Sequence, residues 1–123
     1  AYVGDLGGLV PYTAYNARKS YIENNPEVIK NFTKAVNKGL EYVNSHSAKE
    51  IAEIVVKYFP DTSLSDMETI INRYKTGEAW KKNITINEEE WNHIQEIIEA
   101  SGELQNKVNY NVLIYDKYFK DYE

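Results

Sequence analysis

Two histidines, His46 and His93, are the side chains best suited to chemistry, and the second follows a glutamate at the spacing Glu90-x-x-His93. Carboxylate-bridged metal bundles use this spacing, but they need several such ligands from different helices. Trp91 and Ile94 mark the expected buried stripe, which predicts that Glu90 and His93 lie on its solvent side. We therefore expect no metal. A metal-binding bundle centred on this pair is a minor alternative, which metal co-purifying with the protein would support.

The remaining catalytic inventory is thin. Cysteine is absent, which removes disulfides, thiolate metal sites and a cysteine nucleophile. Ser47 and Ser63 lie where helices are expected to begin, and a hydroxyl that caps a helix already has a structural task. His46 falls between two predicted helices, as a loop residue or a cation at a helix end. No nucleophile elbow, phosphate loop, dinucleotide fingerprint or zinc motif is present. The sequence predicts neither an enzyme nor a bound cofactor.

Composition narrows the possible partners. The 123 residues suffice for one domain. A formal net charge of −5 and a sequence pI of about 5.1 leave no basic face to neutralise phosphates, so we expect no nucleic-acid binding. No apolar run approaches the roughly 20 residues that would span a bilayer.

Most of the chain reads as helical, and the first two long helices have clear start signals. Asn25 is the expected cap of a helix that begins at Pro26, where the missing amide costs nothing, and runs to about Asn44. The next helix opens with the capping box Ser47-Ala48-Lys49-Glu50. Pro60 ends it.

Two further helices follow. The third is expected to begin with residues 61–63 and to end near Gly77. Trp80, in the loop beyond, is expected to close the open end of the core. The fourth begins after the cap Asn87 and ends at Gly102. Helical turns are also expected within residues 18–24 and in the tail, residues 115–122.

Each long helix carries an apolar stripe that is expected to face the core. The stripes comprise, in order, Val28, Ile29, Phe32, Ala35, Val36, Leu40 and Val43; Ile51, Ile54, Val55, Tyr58 and Phe59; Leu64, Met67, Ile70, Ile71 and Tyr74; and Trp91, Ile94, Ile97 and Ile98. Gly39 lies near the first stripe, and we expect a close neighbour there.

Residues 7–18 are the one segment whose composition does not favour a helix. Adjacent glycines, Pro11 and several Thr, Tyr and Val residues predict a single short strand over residues 10–17. The fold class expected for this chain is therefore mostly α, with four main helices, a short C-terminal helix and one N-terminal strand. A single strand has no partner. Partner strands would have to come from another chain or from the rest of a larger protein.

Several motifs resemble, in order and spacing, the C-terminal part of ABC-transporter substrate-binding proteins of the nitrate, sulfonate, taurine and thiamine-precursor class. The resemblance covers the chain from Gly7 to its end. The matching segments are Gly8-Leu9-Val10-Pro11-Tyr12-Thr13, Asn25-Pro26-Glu27-Val28 with Phe32, Ala35 and Gly39-Leu40, Lys57-Tyr58-Phe59-Pro60-Asp61-Thr62, Arg73-Tyr74-Lys75, Trp80, and Ala100-Ser101-Gly102-Glu103-Leu104.

This resemblance implies a fragment of an α/β type II periplasmic-binding fold, in which two lobes close around a small ligand. Residues 1–18 would contain the strand that crosses the hinge between the lobes, and residues 19–123 would be the helical part of one lobe. Pro11, Tyr12, Thr13 and Tyr15 match the hinge side of the ligand cleft. Packing alone is an equally weighted role for these four residues.

The implied function is solute capture and delivery to an ABC permease, without chemistry on the solute. A sulfonate, taurine, nitrate or a thiamine precursor would be the solute. The protein would lie outside the cytoplasmic membrane, periplasmic or lipid-anchored, with a leader encoded upstream of Ala1. We expect the fragment alone to self-associate through its N-terminal strand, because an incomplete lobe leaves apolar surface uncovered. The alternative is an independent helical module that binds a protein partner.

Overall fold

A computed structural model describes residue 8 and residues 10–118, and this part of the chain is mostly helical. Four long helices are present, as predicted. The helices are α1 (Lys19–Asn24), α2 (Pro26–Ser45), α3 (Ala48–Val55), which continues into a 3-10 turn (Val56–Tyr58), α4 (Leu64–Thr76), α5 (Glu88–Ala100) and α6 (Tyr110–Leu113). Residues 1–7 and residue 9 of the expected hinge segment and residues 119–122 of the expected tail helix lie outside the described residues.

The predicted starts of the long helices are confirmed. Ser47 and Glu50 form the reciprocal capping box of α3. The Ser63 hydroxyl accepts from the backbone amide of Asp66 at the start of α4. Asn25 precedes α2 as expected, but its side chain donates to the Tyr21 carbonyl at 2.9 Å instead of capping the helix. Cap signals act over three or four residues, and for this reason they can be read from sequence.

The fourth helix is also bounded as predicted. Asn87 and Glu90 form a second capping box at the start of α5. Gly102 ends the helix with φ +82°, in the left-handed region. Its amide donates to the Glu99 carbonyl at 2.9 Å, and the next amide, of Glu103, reaches back to Ile98 at 3.2 Å. This pattern satisfies the last carbonyls of the helix and favours glycine at the turn.

A small apolar core lies between α3 and α4. Its buried residues are Ile51 and Ala52 on α3 and Met67 and Ile71 on α4. Trp80 packs against this cluster, as predicted, together with half-buried residues from the end of α2. The core therefore lies beside the C-terminal end of the 20-residue helix α2, and the N-terminal half of α2 lies away from it.

Lys75 joins the end of α2 to α4. Its ammonium donates to the carbonyl of Val43 at 2.5 Å and to that of His46 at 2.8 Å. Both carbonyls lie where the helix leaves its last acceptors without intrahelical donors. The His46 ring stacks on Tyr42 with centroids 3.6 Å apart, so this histidine lies at a helix end, as predicted.

A buried glutamine holds the chain after α5. Gln95 is 4% exposed, and its amide donates to the Val108 carbonyl at 3.1 Å and accepts from the Val108 amide at 2.6 Å. The Trp91 indole donates to the same carbonyl at 2.8 Å. The Tyr110 hydroxyl then donates to the carbonyl of Ile86, before α5. The short C-terminal helix thus lies at Tyr110–Leu113, earlier than residues 115–122, where the tail pattern placed it.

The predicted N-terminal strand is wrong. Residues 10–17 adopt irregular structure, and no strand is present among the described residues. A strand is stabilised by ladder hydrogen bonds to a neighbour. The described part of the chain supplies no neighbouring strand, so the β-favouring residues of this segment have nothing to pair with.

The apolar stripes are only partly buried. Exposed members include Val28, Phe32 and Ala35 on α2, Ile54, Tyr58 and Phe59 after the start of α3, Leu64, Ile70 and Tyr74 on α4, and Ile97 and Ile98 on α5. The four-residue core covers only the parts of the stripes that face it. The expected close neighbour of Gly39 is also absent among the described residues, because a Cβ placed there would meet no atom within 4 Å apart from its chain neighbours and the backbone of its own helix.

Candidate binding surface

Residue 8 and residues 10–17, here called the N-terminal segment, carry the four predicted ligand residues. Pro11 is half-buried, whereas Tyr12 is 92% exposed and Tyr15 is 77% exposed. Thr13 between them is exposed as well. The structure therefore places all four on one segment but encloses none of them in a pocket. Their proposed ligand role stays a prediction.

The N-terminal segment contacts two helices that are distant in sequence. Gly8 has φ +72°, and a Cβ built on it would lie 3.3 Å from Nε2 of His93 on α5. At the other end, the Tyr15 ring meets the Phe32 ring on α2 edge to face, with centroids 5.0 Å apart and an interplanar angle of 83°. Such a pair is a favourable aromatic geometry. The segment thus lies against α5 near Gly8 and against α2 near Tyr15.

Helix α2 buries polar residues and exposes apolar ones in this region. Thr33 and Asn37 are 6% and 7% exposed, whereas Val28 is 51% exposed and Phe32 46%. The Asn37 amide donates to the Glu41 carboxylate at 2.6 Å. Sequence analysis placed Val28 and Phe32 inward and did not select Thr33 or Asn37, although their spacing of four residues puts them on one side of a helix.

Glu90 and His93 do not form a metal site with other residues of the described chain. The Glu90 carboxylate accepts from the Asn87 amide at 3.1 Å and from the Lys81 ammonium at 2.5 Å, so it serves as a cap and an ion-pair partner. His93 Nδ1 lies 3.9 Å from the Glu96 carboxylate. Among the described residues, no group of three or more His, Cys, Asp or Glu side chains could hold a metal ion.

The described residues also line open depressions, of which two are considered in turn. One is acidic and follows the first turns of α5, where Glu88, Glu89, Asn92, His93 and Glu96 line it. The other lies on α4. Thr69, Ile70, Arg73 and Tyr74 line this second depression.

The serines excluded as nucleophiles are confirmed as helix caps. The Ser47 hydroxyl donates to the Glu50 carboxylate at 2.7 Å, and the Ser47 amide donates to it at 2.9 Å. These hydrogen bonds lower the pKa of Glu50 below its ordinary value, and the bond from the hydroxyl has the larger effect. At the next cap, the Ser63 hydroxyl donates to Asp66 at 2.7 Å.

Within the described part of the chain, no helix combines the length and apolar character needed to cross a membrane.

Comparison with known proteins gives one informative relative. Over 114 residues, 93% of this chain, the sequence is 39% identical to the Bacillus subtilis (strain 168) protein called "Putative binding protein YtlA". The match covers 34% of that protein, so this chain spans about a third of the relative's length. No family model matches the chain, and no solved structure matches it at a significant level. The similarity extends through nearly the whole chain and is not confined to one motif.

Proposed function

We propose that this chain is the C-terminal part of the extracytoplasmic solute-binding component of an ABC importer. The observation that carries the proposal is the 39% identity, over 93% of the chain, to a protein named as a binding protein of which the chain spans about a third. The motifs that resemble the nitrate, sulfonate, taurine and thiamine-precursor class support the same proposal. The helical chain would then be a piece of an α/β type II fold, and partner strands for residues 10–17 would come from the rest of that protein.

In this proposal the N-terminal segment crosses the hinge, and the two lobes close around a small solute. Pro11, Tyr12, Thr13 and Tyr15 would line the hinge side of the cleft. The exposed rings of Tyr12 and Tyr15 offer apolar faces and phenol groups, and Thr13 offers a hydroxyl. These groups bind without reacting. The protein would deliver the unchanged solute to a membrane permease and act as a binding protein, with no catalytic step. It would lie in the periplasm or be lipid-anchored at the cell surface.

Thermal-shift measurement on the longer protein that the proposal implies would test this function. Taurine, alkanesulfonates, nitrate and thiamine pyrimidine precursors form the panel. A ligand at about a hundred times its dissociation constant should add roughly 2.7 kcal/mol to the free energy of unfolding. Tyr12→Ala should reduce the shift, whereas Tyr58→Ala, a control at an exposed tyrosine on the 3-10 turn, should leave it unchanged. No shift with any compound, or an equal shift in both variants, would count against the proposal.

The coding sequence provides an independent test. About two hundred further residues upstream of Ala1, with alternating strand and helix patterns and a leader, would support the transport proposal. A start codon immediately before Ala1 would favour the second candidate, an independent helical module that binds a protein. That candidate is supported by the exposed apolar residues Ile70 and Tyr74 beside Arg73 on α4.

Self-association of the isolated chain also stays a prediction, but the surface expected to cause it is different. Residues 10–17 form no strand, so edge pairing loses its basis. The exposed rings of the N-terminal segment and the exposed stripe of α2 provide apolar surface instead. Light scattering should show species larger than a monomer at high concentration, and a monodisperse monomer would contradict this expectation.

A further inference from the structure

The N-terminal segment keeps its place without backbone pairing. Within the described part of the chain, residues 10–17 form no hydrogen bond, and residues 12–17 are exposed. Fixing the backbone of such a segment costs conformational entropy, so side-chain contacts have to tie it down. The conformation of the segment therefore depends on the contacts that it makes with α2 and α5.

Two contacts bracket the predicted ligand residues. At one end, a Cβ added to Gly8 would lie 3.3 Å from Nε2 of His93 on α5, and the φ of +72° at this position favours glycine. At the other end, the Tyr15 ring packs edge to face against Phe32 on α2, with centroids 5.0 Å apart. Three of the four predicted ligand residues, 11–13, lie between these contacts, and Tyr15 is itself the fourth.

We propose that Phe32 and His93 are positioning residues that hold the N-terminal segment in the conformation that presents Tyr12 and Tyr15 to the solute. The proposal rests on the proposed function, because it needs a solute cleft beside the segment. Phe32 acts through the Tyr15 ring, and its contact leaves that tyrosine 77% exposed. His93 acts through the backbone of Gly8. A segment held at both ends loses less conformational freedom when the solute binds, so the affinity rises without a further solute contact.

The aromatic pair sets the size of the expected effect. Phe32→Leu keeps an apolar side chain and a good helix former but removes the ring. Beyond its buried area, an edge-to-face pair is worth a factor of about 2 to 12 in an equilibrium constant, so Phe32→Leu should weaken solute binding by about 2- to 12-fold. Phe32→Tyr keeps the ring and should restore binding. Val28→Ala is the matched control, one turn earlier on α2 and also exposed, and should change the affinity by less than about twofold.

Solute affinity is measured by isothermal titration calorimetry of the longer protein. The titrant is whichever of taurine, the alkanesulfonates, nitrate or the thiamine pyrimidine precursors gives the largest thermal shift. Circular dichroism first verifies that each variant retains its helical content.

The order of the segment is measured separately, in this chain. Because the chain contains no cysteine, Tyr12→Cys supplies one thiol for a fluorophore, and time-resolved anisotropy in dilute solution then reports nanosecond motion of the segment. Adding Phe32→Leu should lower the part of the anisotropy that decays only with tumbling of the whole chain by about a third or more. Gly8→Ala should do the same, because it strains the backbone and crowds His93. Adding Phe32→Tyr or Val28→Ala should leave this part unchanged.

The two measurements separate the possible failures. Loss of order together with weaker binding in Phe32→Leu, and recovery of both in Phe32→Tyr, would support the proposal. Unchanged anisotropy in Phe32→Leu or in Gly8→Ala would overturn the role of Phe32 or of His93, respectively. Binding that Phe32→Leu weakens by less than about twofold would overturn the positioning role and leave the transport function standing. A longer protein that binds no compound of the panel would contradict the transport function, and the positioning role would fall with it.

Discussion

Removing the ammonium of Lys75 should destabilise the chain, because this half-buried group joins two helices. Lys75 donates to the carbonyls of Val43 and His46 and so ties the end of α2 to α4. Lys75→Met keeps the apolar stem and removes both donors. It also removes a cation from the C-terminal end of α2, where the helix dipole favours positive charge.

The expected cost can be worked from these contacts. A hydrogen bond that involves a charged group contributes about 1.5–3 kcal/mol, and Lys75 makes two, although water can replace part of each because the site is only half-buried. We therefore expect Lys75→Met to lower the free energy of unfolding by about 2–3 kcal/mol. For a chain of this size, the melting temperature should fall by roughly 3–5 °C for each kcal/mol.

Urea unfolding followed by far-UV circular dichroism is the assay. Lys34→Met is the control, because Lys34 is an exposed lysine of the same charge in the middle of α2, and its effect should stay within about 0.5 kcal/mol. A loss below about 0.5 kcal/mol for Lys75→Met, with an unchanged dependence on urea, would refute the argument that these two hydrogen bonds join the helices.

Three further substitutions test local features by the same unfolding assay. Gly39→Ala should stabilise the chain by about 1 kcal/mol, because the position is helical and open, and a loss of stability would reveal a neighbour there. Gln95→Leu should lower the free energy of unfolding by about 2 kcal/mol and speed amide exchange at Val108, because the Val108 amide loses its hydrogen-bond partner. Unchanged exchange would contradict the role of Gln95 in holding Val108. Ser47→Ala should be most harmful near neutral pH. The lowered pKa of Glu50 stabilises the folded chain above the ordinary value of 4.5, and this contribution disappears as the pH falls through the lowered value. The difference between wild type and Ser47→Ala should therefore shrink in acid, and a pH-independent difference would contradict the assigned cause.

The candidate binding surface was only partly accessible from sequence. Pro11, Tyr12, Thr13 and Tyr15 were selected through a resemblance, and the structure adds that they lie together on an exposed segment. The ring contact between Tyr15 and Phe32 joins residues 17 positions apart, and no periodicity in the sequence predicts it.

Buried polar residues were missed for a different reason. Gln95 lies between Trp91 and Ile98 on the predicted stripe, but hydropathy assigns a glutamine to the surface. It is buried because it satisfies both backbone groups of Val108, and buried polar groups need such partners. The signal available in the sequence for the burial of Gln95 was its position on an apolar stripe, four residues after Trp91.

By itself, the sequence determined the four long helices and where they begin, because the capping boxes at Ser47 and Asn87 and the glycine turn at Gly102 are short-range hydrogen-bond patterns. It also excluded thiol chemistry, since cysteine is absent. Tertiary structure decided which apolar residues are buried and whether residues 10–17 pair as a strand. Burial and strand pairing depend on what lies opposite each side chain or backbone group. In the described chain, Met67 and Ile71 face α3, whereas Val28 and Phe32 remain exposed.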